Sequence, residues 1–417
     1  MIPKKNILFF LLLTYFSLLV GFYFSEDVIG GAINDYKGHA HIAEKFKENF
    51  LFILLNYDDL GHRHSPVFYI FKSIALNFGE TGQKIFFLHF FLLIPVFFYK
   101  CLKIKFNNVS KDYLRLFAAI ILLFPTFRAY AIWPDPHLLG ILFFTISIYY
   151  YLKVKTNFEP FKNALLNTFF LSLAAYVSPN FGVFAIFFFY EFFKKFNLGK
   201  KIFIIFLKNI ILSLPFFFYL FYLDINFIFN NNGWDIGKNF YSLNNISSKI
   251  VIIFSIFLFY LFPLIITKIP KIEYRSKILS IKSLLSIFTY FLIIYFFDFS
   301  ASYNLTNSGG GFFYNLSNFL FHNNYFLFFV SLFVYLYLIK IFNYNFSNFI
   351  LFLSLIFSNP QVTLWQANFS PTIFIMIFLL FNGVIDKKNL DLKTLIISYL
   401  YFFIYLASNI VFRNILI

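Results

Sequence analysis

Cysteine is almost missing from this chain, since Cys101 stands alone among 417 residues. One cysteine forms no intrachain disulfide and cannot build a thiolate metal site, so neither kind of cross-link holds the fold together. Charged residues are also scarce. They make up 12% of the chain, whereas a soluble globular protein carries about 25%. Such a chain does not present most of its surface to water.

Acidic residues are the scarcer charge, with 18 Asp and Glu against 34 Lys and Arg, which gives a net charge of +16. A strongly basic balance can indicate nucleic-acid binding. In a chain rich in apolar runs, however, it indicates positively charged cytoplasmic loops. We therefore expect membrane lipids, and no nucleic acid, among the partners.

Hydrophobic residues make up 60% of the chain and gather into long runs. Runs near the roughly 18-residue length of a spanning segment predict transmembrane helices. We predict an all-α polytopic membrane protein with about 13 transmembrane helices, the first of them uncleaved. These helices are predicted at 7–24, 84–101, 114–131, 137–152, 163–177, 180–195, 201–223, 248–267, 281–298, 323–341, 346–358, 368–384 and 394–412.

Lys-rich clusters alternate with loops that contain little Lys or Arg, and this alternation predicts the topology. Clusters on the cytoplasmic side place the N-terminus in the cytoplasm and the C-terminus outside. If segment 65–79 spanned the membrane, the Lys-rich cluster at 100–111 would lie outside. We therefore expect an interfacial or re-entrant helix there. Nothing in the sequence demands an organelle signal, so we expect the bacterial inner (plasma) membrane.

Polar residues concentrate on the predicted outer face. The first outer loop, 25–83, holds eight of the 18 acidic residues, and all three Trp also fall on this face. Every His except His89 does so as well. Exclusion from the bilayer explains why polar residues lie in loops, but it does not explain why they favour one side.

The first outer loop contains an amphipathic stretch. Ile42, Phe46, Phe50 and Leu54 recur every four residues, opposite charged side chains, which predicts a helix lying in the membrane interface. Such a helix would hold Asp35 at the water–lipid boundary. There its carboxylate could take a proton from an acceptor hydroxyl or amine. The alternatives are a solvated loop carboxylate and a helix cap.

Two further outer motifs carry candidate chemistry. His62-Arg63-His64-Ser65-Pro66 makes a cationic turn that could grip phosphate. The same histidines could instead bind a divalent metal with His39 or His41, or lie in a plain solvated loop. Arg128 precedes Trp133-Pro134-Asp135-Pro136-His137, where two prolines stiffen the turn. Asp135 could there orient an acceptor, hold a cation, pair with Arg128, or simply stop a helix.

Later in the chain, Trp365 and Gln366 could stack on and hydrogen-bond a sugar ring. An interfacial aromatic belt is the alternative role for this Trp. No residue is assigned to a metal.

The order of these elements resembles the GT-C superfamily of polyprenyl-phosphate-sugar-dependent glycosyltransferases, which includes protein mannosyltransferases and the lipid A aminoarabinose transferase. The resemblance rests on Asp35-Tyr36, on His64-Ser65-Pro66-Val67, and on Arg128 with Pro134-Asp135-Pro136-His137-Leu138. It covers roughly residues 1–200. Ser65-Pro66 stands where the family usually has Pro-Pro, and the family's acidic pair is not cleanly present, with Asp27 as a rival to Asp35.

The resemblance implies that the chain moves a sugar from a polyprenyl-phosphate donor to a lipid, glycan or protein acceptor on the outer face. It implies Asp35 as the base or the acceptor-orienting carboxylate and Asp135 as the second carboxylate. Substrate binding is then expected from Tyr36, His62, Arg63, His64, Arg128, Trp133, His137 and Gln366, with a divalent metal left open. The single transmembrane domain, 1–417, then divides into an outer catalytic loop at 25–83, a transferase core at 84–200 and additional helices and outer loops at 201–417.

Two other functions remain open. A transporter or lipid flippase usually needs ionisable residues near the midplane, and the predicted spans carry almost none besides His89. An O-antigen polymerase or ligase normally has its large outer loop late in the chain, whereas here the longest outer loop is the first. A non-enzymatic membrane scaffold is the remaining possibility.

Overall fold

The computed structural model describes residues 4–61, 64–225, 242–267, 281–299, 309–342, 345–359 and 364–415. Within these ranges the chain is helical almost throughout, and the only β pairing is an isolated bridge between Gly309 and Trp365. The all-α part of the predicted fold class is therefore confirmed.

Six helices form the first quarter of the chain. They are α1 (Lys4–Tyr23), α2 (Ala32–Glu48), α3 (Phe50–Leu55), α4 (Pro66–Ala75), α5 (Gly79–Phe91) and α6 (Leu93–Lys105). The predicted amphipathic helix is divided at Asn49, whose extended backbone separates α2 from α3. Its apolar stripe divides too, because Ile42 and Phe46 are buried in the protein, while Phe50 on α3 is exposed.

Six more helices follow as far as residue 217. They are α7 (Lys111–Ala119), α8 (Pro125–Ile132), α9 (Pro136–Lys155), α10 (Pro160–Val177), α11 (Phe184–Phe196) and α12 (Lys200–Phe217). Proline is the first residue of α8, α9 and α10, where its missing N–H would lack an intrahelical partner in any case. Asp135 caps α9, since its Oδ1 accepts the backbone N–H of His137 at 2.7 Å.

The described part of the remaining chain contains seven helices. They are α13 (Leu243–Thr267), α14 (Ile281–Tyr295), α15 (Phe312–Phe321), α16 (Tyr325–Phe342), α17 (Phe346–Ser358), α18 (Thr372–Leu379) and α19 (Leu392–Ile415). Helix α13 packs against each of α14 to α19, so it lies at the centre of this half. The packing explains why most of α13 is buried.

Five described segments are long and apolar enough to cross a membrane, and a sixth is counted if α7 and α8, bent by 69°, form one span. The five are Pro66–Lys105, Pro136–Lys155, Lys200–Tyr222, Leu243–Thr267 and Leu392–Phe412. Four shorter apolar helices are Ile7–Tyr23, Ser286–Tyr295, Tyr325–Lys340 and Phe346–Ser358. The structure therefore supports a membrane protein, while the 13 spans and their orientation stay predictions.

The first of these segments is too long for a single crossing. Its 40 residues would extend about 60 Å as one helix, twice the roughly 30 Å of a bilayer core. Gly79 interrupts it with a φ of 73°, a value outside the helical region that glycine adopts readily. Helix α4 is thus separate from α5 and packs on α2, while the interfacial or re-entrant position of segment 65–79 stays a prediction.

Burial differs sharply between helices. In the most apolar stretch of α9 and of α13, 72% of the residues are buried, compared with 11% in Lys200–Tyr222. That outer segment exposes Phe203, Ile211 and Phe221. Apolar side chains on the outside of a bundle indicate contact with lipid, so α9 and α13 form the interior and α12 faces outward.

Candidate functional site

The site is built where α2 lies over the turn between α8 and α9. The start of α2 is fixed by Asp27, whose carboxylate accepts the backbone N–H groups of Gly30 at 3.0 Å and Gly31 at 2.9 Å. A carboxylate at a helix N-terminus is favoured by the helix dipole. Asp27, the rival to Asp35 in the sequence analysis, thus anchors α2.

Three buried side chains connect α2, α4 and the α8–α9 turn. Asp135 Oδ2 lies 3.3 Å from His39 Nε2, and His39 Nδ1 lies 2.9 Å from the Tyr69 hydroxyl. All three residues are at most 7% exposed. A carboxylate only accepts hydrogen bonds, so Nε2 carries the proton that Asp135 accepts, and in neutral His39 the Tyr69 hydroxyl donates to Nδ1. The ring of His64 packs edge-on against His39 at 5.4 Å.

Asp135 is held as an anion. Burial by itself would raise the pKa of its carboxyl, but the hydrogen bond and charge of His39, together with His137 and its backbone N–H, hold the pKa below the usual value. Asp135 therefore carries a negative charge at neutral pH in a largely desolvated position.

Two lysine amines lie beside aromatic rings in the same region. Lys72 is fully buried on α4, with Nζ 4.0 Å from the ring centroid of Tyr36 and 3.4 Å from its carbonyl oxygen. Lys84 Nζ lies 4.7 Å from the Tyr36 ring and 4.1 Å from the Trp133 ring. Each amine is thus placed for a cation–π contact. Lys84 also pairs with Glu80 at 2.7 Å.

Tyr36 contacts both lysine amines and also binds helix α5. Its hydroxyl donates to Gln83 Oε1 at 3.1 Å. Burial, followed by the negative charges of Glu80 and Glu44, raises the pKa of Tyr36 well above its usual value. Tyr36 is therefore a neutral hydrogen-bond donor at physiological pH, and its ring faces both lysines.

Asp35 lies at the open edge of this cluster. It is exposed in the first turn of α2 and precedes His39 by four residues. Side chains four residues apart lie on the same face of a helix. Asp35 therefore lies on the face of α2 that carries His39, one turn before the His39–Asp135 contact. The two predicted carboxylates are therefore arranged with His39 between them, one exposed and one buried.

Arg128 is engaged in a buried ion pair. Its Nε and Nη2 each donate to one carboxylate oxygen of Glu26 at 2.6 Å, and Nη2 also donates to the Ser17 carbonyl at 2.8 Å. The indole N–H of Trp133 donates to the Glu26 carbonyl at 3.0 Å. Arg128, predicted as a phosphate ligand, thus joins α1 to α8, and Asp135 pairs with His39 and not with Arg128.

The other predicted residues have separate positions. His137 stacks on Phe181, with ring centroids 6.0 Å apart. Gln366 accepts the backbone N–H of Phe312 at 2.8 Å and so holds the start of α15. His62 and Arg63 lie outside the described residues. The structure thus brings Tyr36, His64, Trp133 and Asp135 into one cluster.

Several members of this cluster are not predicted from the sequence, although some of them carry a sequence signal. Lys72 is the only charged residue in the otherwise apolar α4, and such a residue needs a partner or a function. The sequence suggests His39 only as a metal ligand. No pattern in the neighbouring sequence distinguishes Tyr69, Gln83 or Lys84. In the part of the chain that the structure describes, no three His, Cys, Asp or Glu side chains group in a way that could hold a metal ion.

Comparison of the chain with protein families, with characterised proteins and with solved structures finds no match. The site must therefore be interpreted from its own geometry.

Proposed function

We propose that this chain is an integral membrane glycosyltransferase of the GT-C type. It would move a sugar from a polyprenyl-phosphate donor to a lipid, glycan or protein acceptor on the outer face of the membrane. The observation that carries the proposal is the single cluster in which an exposed carboxylate, Asp35, lies one helical turn from His39 and its buried anionic partner Asp135, with two amines supplied by α4 and α5.

The amines supply what the donor phosphate requires. The polyprenyl phosphate that leaves gains negative charge as its bond to the sugar breaks, and cations stabilise that charge. The Lys84 side chain is 14% exposed, and its partner Glu80 is 67% exposed. The donor phosphate can therefore replace Glu80 as the partner of the Lys84 amine, because water then solvates the Glu80 carboxylate. Lys72 stays buried, with its amine against the face of the Tyr36 ring.

Asp35 is the proposed base. The acceptor hydroxyl oxygen attacks the anomeric carbon of the sugar, and its proton passes to the Asp35 carboxylate. The bond between the anomeric carbon and the phosphate oxygen breaks, and polyprenyl phosphate leaves with the electron pair. Asp135 acts as a positioning residue, because it holds His39, which packs against the His64 turn.

Sidedness supports the proposal. The contact of His39 with Asp135 joins the 25–83 loop to the turn before α9, so both lie at one end of the bundle. A shared reaction centre requires this, and the alternation of Lys-rich loops assigns that end to the outer face. We propose accordingly that about 13 spans run with the N-terminus cytoplasmic in a bacterial inner membrane.

The decisive experiment compares two carboxylates on α2. Asp35→Asn should lower transfer of a radiolabelled sugar from a synthetic polyprenyl phosphate to extracted cell-envelope acceptors by about 10²–10⁴-fold, the usual contribution of a general base. Glu48→Gln is the matched control. This exposed carboxylate lies about 20 Å further along the same helix.

Full transfer by Asp35→Asn would overturn the assignment of the base. If the purified wild-type protein in liposomes moved the lipid-linked sugar across the bilayer with no covalent transfer, the flippase alternative would replace the proposal.

A further inference from the structure

Helix α3 presents an apolar surface that the proposed transfer step does not use. All six of its residues, Phe50–Leu55, are apolar. Four of them are between 43% and 66% exposed: Phe50, Leu51, Phe52 and Leu55. Exposed apolar side chains that are gathered in this way mark a site of interaction, because contact with water disfavours them.

This surface differs from the apolar stripe that the sequence predicts. Within that stripe, Ile42 and Phe46 on α2 are buried in the protein. Leu51, Phe52 and Leu55 lie outside the stripe. Helix α2 carries several charged residues, whereas α3 carries none. The change from a polar to an apolar helix therefore falls where α2 ends and α3 begins.

Asparagine side chains satisfy backbone groups at both ends of α3. Asn49 Oδ1 accepts the backbone N–H of Phe52 at 3.4 Å, and Asn56 Nδ2 donates to the Phe52 carbonyl oxygen at 2.8 Å. The first N–H groups and the last carbonyl groups of a helix have no partner within it, and each unsatisfied group is costly in an apolar medium. These two bonds lower the cost of placing such a short helix in lipid.

A third hydrogen bond docks α3 on a segment that is long and apolar enough to span the membrane. The Tyr219 hydroxyl donates to the Leu54 carbonyl oxygen at 2.7 Å. Tyr219 lies in a π-helical turn, Phe218–Tyr222, that continues α12 to the end of the segment Lys200–Tyr222. This segment begins in a Lys-rich cluster that is predicted to be cytoplasmic, so α3 lies beside its predicted outer end.

The part of this segment beside α3 belongs to the lipid-facing surface of the bundle. Phe218, Phe221 and Tyr222 are between 54% and 76% exposed. The exposed side chains of α3 offer a partner neither charge nor hydrogen bonds, so they require an apolar partner. The acyl chains around α12 supply one, and they reach α3 directly because α3 is docked on that segment.

We propose that α3 inserts into the acyl chains of the outer leaflet, beside the outer end of α12, and anchors the first outer loop to the membrane. The charged residues of α2 remain in water, and Asn49 marks the point where the chain enters the lipid. This inference does not depend on the transferase assignment, because it rests on the surface of α3 and on its contact with the end of α12.

Insertion of α3 also sets the height of the turn that follows it. Two residues after Leu55, the Tyr57 hydroxyl donates to the His64 carbonyl oxygen at 2.6 Å. The Tyr57 ring centroid lies 6.5 Å from that of Tyr69, whose hydroxyl binds His39. The anchor therefore holds the cluster around His39 close to the membrane surface.

The test measures the surroundings of one labelled residue on α3. Leu51→Cys, in a Cys101→Ala background, carries the fluorophore NBD, and the full chain is reconstituted in nanodiscs of phosphatidylglycerol and phosphatidylethanolamine. We expect blue-shifted emission, a large loss of fluorescence when nitroxide-labelled lipids are included, and little loss with aqueous iodide. A nitroxide near the head group should quench more than one near the end of the acyl chain, because α3 lies at the end of the span.

Lys37→Cys in the same background is the matched control. Lys37 is exposed on the charged helix α2, so its label should lose fluorescence with iodide and little with nitroxide-labelled lipids. Leu55→Cys, at the other end of α3, supplies a second label that should behave like Leu51→Cys. An unchanged thermal unfolding midpoint shows that each labelled variant folds.

Two outcomes would overturn the anchor. Quenching of both α3 labels by iodide, as at Lys37, would place α3 in water. Protection of both labels from iodide and from nitroxide-labelled lipids alike would show that protein, such as a second copy of this chain, covers the surface in place of lipid.

Discussion

Two buried carboxylates lie at opposite ends of α9, and their surroundings differ. Asp135 caps the first turn of the helix, and Glu191 on α11 contacts its last turns through Tyr151 and Lys155. The 20 residues of α9 separate these ends by about 30 Å. The same helix thus presents one buried anion near each predicted face of the membrane.

Glu191 is saturated with donors. It accepts hydrogen bonds from Tyr151 at 2.7 Å and Ser347 at 2.5 Å, and pairs with Lys155 at 2.9 Å and Lys194 at 3.3 Å. These partners come from α9, α11 and α17. A carboxylate with every lone pair occupied holds helices together and has no capacity left for a substrate.

Asp135 has fewer partners. It accepts one backbone N–H at 2.7 Å and lies 3.3 Å from one imidazole nitrogen. It interacts electrostatically with Lys72, whose amine lies against the ring and the carbonyl oxygen of Tyr36. Charges that are gathered but not neutralised pairwise are typical of functional sites, whereas complete pairing is typical of structural ones.

The largest expected effect is on catalysis, where loss of the Asp135 charge is compared with loss of the Glu191 charge. Asp135→Asn keeps the acceptor oxygen for the N–H of His137 but removes the charge that holds His39. We expect kcat for sugar transfer to fall about 10²-fold. Glu191→Gln should leave kcat within about twofold, because its cluster lies about 30 Å away. Steady-state assays on both purified variants measure this, and a comparable loss in Glu191→Gln would remove the functional distinction.

The next largest effect is expected at Glu26, whose side chain is 9% exposed. Glu26→Gln leaves Arg128 buried with one partner neutralised, and breaking such a pair costs about 3–5 kcal/mol of unfolding free energy. Unfolding by SDS titration in mixed micelles measures the change. Arg128→Lys, which loses the two-pronged geometry, should also destabilise the protein. A loss of donor affinity with unchanged stability would instead show that Arg128 binds phosphate.

A smaller stability effect is expected at the other end of α9. Glu191→Ala leaves the Tyr151 hydroxyl buried without its acceptor, which costs about 1–3 kcal/mol. The two lysines are about half exposed, so water can solvate them and the full cost of a buried pair is not reached. The same SDS titration applies. A change greater than that of Glu26→Gln would reverse the ranking of the two clusters.

The smallest effect is a pH dependence of stability. The pKa of folded Asp135 lies below the ordinary value of about 3.9, so its carboxylate stabilises the fold fully above that pH. This stabilisation is lost as the pH falls through the lower folded-state pKa. Asp135→Asn does not titrate, so its deficit in thermal unfolding midpoint should shrink as the pH falls below about 4. A deficit that grows on acidification would contradict an anionic Asp135.

The sequence patterns that predicted structure correctly were local. Apolar runs predicted an all-helical chain, and the helix predicted at 137–152 lies within α9. Pro134-Asp135-Pro136 fits the helix stop considered for it, since α8 ends at Ile132, but Asp135 also caps the start of α9, which was not predicted. The amphipathic stretch after Asp35 was also recognised, although its break at Asn49 was not. The break arises because Asn49 Oδ1 accepts the N–H of Phe52 and begins a new helix, and the four-residue spacing of apolar residues continues across it.

The sequence by itself determined that the chain is helical, apolar on its outside and rich in polar groups at particular turns, because periodicity and exclusion from lipid act over a few residues. Only the tertiary structure decided which of those polar groups meet. Arg128 reaches Glu26 across 102 residues, and His39 reaches Asp135 across 96. Such pairings depend on how whole helices pack, and no local pattern of residues specifies that packing.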